Sequence, residues 1–131
     1  MTETVPTADP AFEAAYQAAQ KSLGEGGIPI GAALARAGRV VATGHNERVQ
    51  HGDPIAHGEM SALRAAGRQK SYRDTTLYTT LAPCAMCTGT IIQFKIPRVV
   101  VGRPRLSRAS STSFAHAVWR WLSWMIHAVW T

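Results

Sequence analysis

The chain has 131 residues, of which 46% are hydrophobic, so it is long enough for one domain with an apolar core. Fourteen basic and eight acidic residues give a net charge of +6, but four of the arginines follow residue 102, where no acidic residue occurs. This local excess is weak evidence for a nucleic-acid partner, and we expect none. The first ten residues have no basic run and no apolar core, so we expect no signal peptide and a cytoplasmic protein.

Two predicted helices begin in the same way, with an aspartate before a proline. The aspartate can cap the free amides of the first turn, and proline suits the first helical position. The first helix follows Asp9 and ends at Gly24, and the second runs from Pro54 to about Ala66. Periodicity predicts one apolar stripe on the first helix, formed by Phe12, Tyr16, Ala19 and Leu23.

Four strands and a further helix complete the predicted fold. The strands are residues 28–35, 39–44, 75–80 and 98–101, and the third helix runs over 83–94. This helix is apolar on most sides, so we expect it to be buried. The apolar run at 98–101 is typical of a central parallel strand covered on both faces. The order α-β-β-α-β-α-β predicts a layered α/β domain with a mixed sheet.

Residues 103–131 differ from the rest and are predicted to be a separate basic tail after a domain spanning residues 1–102. Residues 104–113 are polar and basic, as in a linker, and four tryptophans follow. Arg120 and two histidines interrupt the apolar sequence, which argues against a membrane span. An interfacial helix is one interpretation. We favour a helix near 114–130 that packs on the domain.

The only two cysteines, Cys84 and Cys87, form a C-x-x-C motif. In a reducing compartment this spacing indicates metal binding or thiol redox chemistry. A thioredoxin-like site and a structural zinc site with four protein ligands are the alternatives to a catalytic metal. Among five histidines, His57 is the best third ligand, because Glu59 follows two residues later at a predicted helix start.

His57-x-Glu59 followed by Pro83-Cys84-x-x-Cys87 is the motif of zinc deaminases. Cysteines three apart lie about 60° apart around a helix, so both can face one ion. Three protein ligands leave the fourth tetrahedral position for water, as in catalytic zinc sites. Glu59 is predicted to move protons between that water, the base and departing ammonia. Residues two apart on a helix point about 200° apart, so His57 and Glu59 can share a site only if the first turn points at the metal.

These residues resemble the cytidine-deaminase-like superfamily, and within it the cytosine deaminases of fungi and bacteria. The resemblance extends from about residue 10 to residue 102 and implies a three-layer α/β/α fold with a mixed central sheet. The matching stretches are GGIPIGAAL (26–34), GHN (44–46), HGEMSAL (57–63), TLYTTLAPCAMCTGTI (76–91) and IPRVVVG (96–102).

The resemblance implies one zinc ion bound by His57, Cys84 and Cys87, with water or hydroxide as the fourth ligand and Glu59 as the proton shuttle. It also implies contacts with a nucleobase. Asn46 would bind the carbonyl edge, the backbone of Gly58 would contact the base, and the Ala82 carbonyl would accept from the exocyclic amine. Ile28 and Met86 would line the pocket. Asn46 could instead be a turn residue, and Ile28 and Met86 could be core residues.

The implied function is hydrolysis of free cytosine to uracil and ammonia by a homodimer. The alternatives are deamination of guanine, cytidine or adenosine in tRNA, or a zinc-binding remnant without activity. HGE and LYTTLAPCAMC favour the free base. After Gly102 the chain departs from these relatives, whose C-terminal regions supply an acidic residue and aromatic side chains over the base. Our hypothesis is a frameshifted or replaced C-terminus, with the last strand and helices of the family missing or replaced.

Overall fold

The structure is a computed structural model that describes residues 9–102, which form a mixed four-stranded sheet with helices. Its elements are α1 (Pro10–Gly24), β1 (Gly31–Arg36), β2 (Arg39–His45), α2 (Arg48–His51), α3 (Gly58–Ala66), β3 (Thr75–Thr79), α4 (Ala85–Phe94) and β4 (Arg98–Val101). The strand order is β2-β1-β3-β4; β1 is antiparallel to β2 and β3, and β4 is parallel to β3. Within this range, no helix is long and apolar enough to cross a membrane.

Side chains of β1 alternate between two cores, one on each face of the sheet. Ala32 and Leu34 pack in a cluster with side chains of α3 and α4. Ala33 and Ala35 pack in a second cluster with the first turns of α1. This alternation follows from the two-residue period of a strand. The sheet is therefore covered on both faces, and the predicted three-layer α/β/α fold is confirmed.

Helix α1 begins and ends as predicted, but its predicted apolar stripe is only half right: Ala19 is buried and Phe12 packs on the core, whereas the other two residues are exposed. Asp9 accepts a hydrogen bond from the Ala11 amide at 3.0 Å and caps the helix. Tyr16 and Leu23 are 39% and 61% exposed. The buried face consists of small residues, which are Ala11, Ala15, Ala18, Ala19 and Ser22. Small side chains let the helix lie directly against the sheet: a Cβ added to Gly31 would meet the Ala15 carbonyl oxygen at 2.1 Å.

Two helices begin later than predicted, and in both cases a residue of the zinc motif becomes the N-cap. Helix α3 begins at Gly58 rather than Pro54, because Asp53 accepts from the Ile55 amide at 2.9 Å in a separate turn. Helix α4 begins at Ala85 rather than Pro83. The short helix α2 between β2 and α3 was not predicted.

Two burial predictions are also corrected. β4 is parallel to β3 as predicted, but within the described part of the chain it lies at the edge of the sheet rather than at its centre. Helix α4 is not buried on most sides: Met86 and Phe94 are each 37% exposed. The predictions for residues 103–131, including a helix near 114–130 and a replaced last strand, lie outside the described residues.

Replacing Gly44 of β2 by alanine is expected to destabilise the fold. The new Cβ would lie 2.1 Å from the Ala62 backbone nitrogen, so α3 would have to move away from the sheet. Overpacking of this kind costs about 1–3 kcal/mol of unfolding free energy, which urea denaturation would measure. Gly24→Ala is the control, because no atom lies within 4 Å of its Cβ. Wild-type stability of the Gly44 variant would contradict this packing.

Candidate metal centre

The structure brings the three predicted metal ligands together. The Nδ1 atom of His57 lies 3.5 Å from the Cys84 sulfur and 3.6 Å from the Cys87 sulfur. The ligand atoms of all three residues lie within 4.8 Å of one another. A tetrahedral zinc with bonds of about 2.3 Å to sulfur and 2.05 Å to nitrogen holds these atoms about 3.6 Å apart. The two distances from His57 therefore match those between the ligands of a zinc ion.

Two helix starts meet at this centre and position the ligands. His57 and Cys84 are the N-caps of α3 and α4, both with extended backbone, and Cys87 lies in the first turn of α4. Their carbonyls take the first helical hydrogen bonds, from Ser61 and Thr88, each at 2.8 Å. The positive partial charge at both helix N-termini stabilises thiolate ligands placed there.

The protonation chemistry of the site suits a metal cation. Burial raises the pKa of the Cys87 thiol far above its usual range, and the neighbouring Glu59 and Cys84 raise it further. Burial, aided by the charge of Arg48, lowers the pKa of His57, which keeps the imidazole in the neutral form that binds metals. On metal binding both sulfurs become thiolates, which repel each other and the Glu59 carboxylate, and a divalent ion offsets that repulsion.

Glu59 and His57 share the same centre although residues two apart on an ideal helix point in nearly opposite directions. His57 is not part of the helix: as N-cap it has φ −68° and ψ 158°, and this extended backbone turns its ring towards α4. Glu59 lies in the first turn of α3, is 4% exposed and is hydrogen-bonded to Cys87. Burial raises the pKa of its carboxyl group. Glu59 is thus placed beside the metal ligands and shielded from bulk water.

Asn46 lies at the end of β2 and is 2% exposed. Its side-chain oxygen accepts a hydrogen bond from the Arg48 amide at 3.1 Å, which is the local turn contact considered as its alternative role. Because a backbone amide can bond only to the oxygen, this contact fixes the orientation of the side chain. The amide nitrogen is then the atom able to donate to a ligand.

Ser22 and Gln50, which the sequence did not single out, hold the backbone of Asn46. The Ser22 hydroxyl donates to the Asn46 carbonyl at 2.6 Å, and the Gln50 side-chain amide donates to the same oxygen at 3.1 Å. The backbone amide of Asn46 donates to the Ile30 carbonyl at 2.9 Å. Ser22 is completely buried in α1 and 24 residues away along the chain, so no local pattern connects it with Asn46.

The remaining predicted contact residues lie around the same helix starts or in the loop before β1. Gly58 is buried, and a Cβ there would meet the Ile30 carbonyl oxygen at 3.3 Å. Ala82 is half-buried, two residues before Cys84. Ile28 borders a depression of about 300 Å³. Met86 is 37% exposed and is therefore not a core residue. Their contacts with a substrate stay predictions.

The chain matches the family model described as the cytidine and deoxycytidylate deaminase zinc-binding region over residues 7–103, and it belongs to that family. It is 52% identical over 94 residues to a cytosine deaminase of Candida albicans, which covers 70% of this chain and 63% of the relative. It is 49% identical over 80 residues to a tRNA-specific adenosine deaminase of Buchnera aphidicola, covering 59% and 53%. The chain thus spans less than two thirds of the length of either relative.

Solved structures agree with this family. A structure from a study of A-to-I editing by tRNA:A34 deaminases superposes with a TM-score of 0.65 and 33% identity, covering 70% of this chain and 72% of the other. The guanine deaminase of Bacillus subtilis superposes with a TM-score of 0.69 and 28% identity, covering 85% and 75%. The family, the fold and the zinc-binding motif predicted from the sequence are therefore confirmed.

Removing the Ser22 hydroxyl is expected to loosen Asn46 selectively. Ser22→Ala deletes the buried hydrogen bond to the Asn46 carbonyl and also removes the acceptor of one from the Gln50 side chain. The control Thr75→Val deletes one buried hydrogen bond, to the Tyr72 carbonyl. Each should cost about 0.5–1.5 kcal/mol of unfolding free energy. Hydrogen exchange of the Asn46 amide should accelerate about fivefold more in Ser22→Ala than in Thr75→Val. Equal exchange rates in the two variants would show that Ser22 does not hold Asn46.

Proposed function

We propose that this protein is a zinc-dependent hydrolase that converts free cytosine to uracil and ammonia. The observation that carries the proposal is a buried carboxylate, Glu59, beside a cluster of one histidine and two cysteines that could hold a zinc ion. A structural zinc needs no such carboxylate. The 52% identity to a cytosine deaminase supports the choice of substrate.

His57, Cys84 and Cys87 would hold the ion, which when bound supplies an acidified water at neutral pH. The Glu59 carboxylate takes a proton from that water and passes it to the ring nitrogen next to the carbon under attack. It then takes the proton of the hydroxyl group added to that carbon and delivers it to the amine, so that the carbonyl forms as the C–N bond breaks and ammonia leaves. The burial of Glu59 favours this cycle, because a raised pKa brings the carboxyl group closer to operating pH.

The substrate contacts are part of the proposal. The Asn46 amide nitrogen donates to the ring carbonyl of cytosine, in the orientation fixed by the Arg48 amide. The Gly58 backbone contacts the base, and the Ala82 carbonyl accepts from the exocyclic amine. Ile28 and Met86 border the base on its apolar sides.

Deamination of adenosine in tRNA is the second candidate. It is favoured by the Buchnera relative, which is 49% identical, and by the superposition on a tRNA deaminase structure. The match to the cytosine deaminase is longer and has the higher identity, so we place free cytosine first. Guanine, cytidine and an inactive zinc-binding remnant are further alternatives that the same assays separate.

Further proposals concern the setting of the enzyme. We assign the deaminase domain to residues 1–102 and treat 103–131 as a separate tail. Cytosine deamination would serve pyrimidine salvage in the cytoplasm.

We also propose a homodimer, supported by the exposed apolar side chains of Leu81 and Met86 beside the start of α4.

Glu59→Ala is expected to retain zinc and to lose cytosine turnover. The ligands remain, but no group is left to move the protons, so kcat should fall at least about 10²- to 10⁴-fold. Ammonia release from free cytosine and zinc content would be measured on the same samples. Two control variants are measured beside it: Cys84→Ala should lose zinc, and Glu13→Ala, at a half-buried position of α1, should behave like wild type. Full activity of Glu59→Ala with bound zinc would contradict its assigned role.

Ammonia-release assays of the wild-type protein distinguish between the candidate substrates. Zinc-replete protein that releases ammonia from cytosine, and not from cytidine, guanine or tRNA, supports the proposal. Activity on tRNA without activity on cytosine would replace it by the second candidate. Zinc binding without activity on any of the four would indicate the inactive remnant.

If the protein is a homodimer, sedimentation equilibrium is expected to give twice the 14.1 kDa mass of one chain. Burial of Leu81 and Met86 between two copies would provide the driving force. Met86→Glu should shift the mass towards one chain, since a carboxylate is costly in an apolar interface. Lys21→Glu, on an exposed part of α1, is the control. A wild-type mass of one chain would contradict the proposal.

A further inference from the structure

A cavity of about 660 Å³ lies where α3 and α4 end. Its walls come from α3, from the segment 67–73 that follows it, and from the last two turns of α4. Neither Glu59 nor the three metal ligands line it. Both helices begin at the metal centre. The cavity extends along α3 from Met60, the residue after Glu59, to Gly67, which lies about 13 Å from the start of the helix at 1.5 Å per residue.

The wall of this cavity carries charge of one sign. Arg64, Arg68 and Lys70 line it, and no acidic residue does. The carboxylate nearest in sequence, Asp74, is paired with Arg36 at 2.9 Å. A concave surface lined by one sign of charge focuses its field and attracts the opposite charge. The C-terminus of α3 carries a negative partial charge, which stabilises the cation of Arg64 in the last turn. Arg68 and Lys70 lie beyond the end of the helix, so this effect does not explain their positions.

An aromatic pair forms another part of the same cavity. The rings of Tyr72 and Phe94 have centroids 5.1 Å apart and are tilted by 47°. The Tyr72 hydroxyl donates to the Gly67 carbonyl, which ties the ring to the end of α3. Phe94 is 37% exposed, so part of its ring is available to a ligand.

The segment that carries these groups is held in place before any ligand arrives. Arg36 of β1 donates to the Ser71 carbonyl at 2.8 Å and to the Gln69 side chain at 3.2 Å. Such preorganisation lowers the entropic cost of binding.

We propose that this cavity is a second binding site that accepts a nucleoside monophosphate. Arginine pairs with phosphate through parallel hydrogen bonds, so Arg64 and Arg68, assisted by Lys70, bind the phosphate. The base stacks on Phe94, as bases do on exposed aromatic side chains. The cavity volume lies in the range of small-molecule sites. The site is separate from the metal centre, so the two can be occupied together.

Calorimetric titration of full-length, zinc-replete protein tests the proposal with cytidine monophosphate, cytidine and inorganic phosphate. The nucleotide is expected to bind at least tenfold more tightly than either of the others, and its affinity should fall as salt is raised. Saturating uracil should leave the nucleotide affinity unchanged. Equal affinity for cytidine, or competition by uracil, would overturn the proposal. Binding of an RNA oligonucleotide without binding of the mononucleotide would also overturn it.

Paired variants locate the site. The double variant Arg64→Gln, Arg68→Gln should weaken nucleotide binding at least tenfold while zinc content and thermal midpoint stay at wild-type values. Lys21→Gln removes one exposed cation on α1 and should leave the affinity unchanged. Phe94→Ala should weaken binding of the nucleotide more than binding of inorganic phosphate. Undiminished nucleotide binding by the double variant would place the ligand elsewhere. None of these readouts depends on the proposed deaminase activity.

Discussion

The structure depends on one electrostatic constraint, which is that two thiol ligands and a buried carboxyl group share a site. Burial raises the pKa of the Cys87 thiol, and the nearby Glu59 and Cys84 raise it further. The ends of two helices and a divalent cation are the available compensation. The chain therefore brings both helix starts to one point, and the sheet behind them fixes their relative position.

Small residues make this arrangement compact. Gly31 and Gly44 lie where α1 and α3 approach the strands so closely that a Cβ would collide with the backbone of these helices. The close approach of α1 brings the Ser22 hydroxyl to the Asn46 carbonyl. The close approach of α3 places its backbone at Ala62 directly against Gly44 of β2. The packing of the two helix layers on the sheet thus determines the geometry of a site that lies beyond the ends of β2 and β3.

The sequence identified the metal ligands because metal chemistry restricts both residue type and spacing. The assignment of His57, Cys84 and Cys87 as ligands therefore required no knowledge of how the chain packs. The starts of α3 and α4 were misplaced because a proline at the first helical position is only a local preference, whereas His57 and Cys84 stand outside these helices as their caps. The stripe on α1 was misjudged because periodicity favours large apolar residues, and here alanines form the contact. The link from Ser22 to Asn46 has no local pattern and appears only in three dimensions.

The use of two ligands as helix caps also links the metal to the way the chain folds. The first turn is the costly step of helix formation, because several residues are ordered before the first hydrogen bonds compensate. An ion held by His57 and Cys84 fixes the residue from which each helix propagates. The ion would act as a shared nucleus for α3 and α4, and its removal would fray both helices from their first turns while the alanine-rich contact between α1 and the sheet persists.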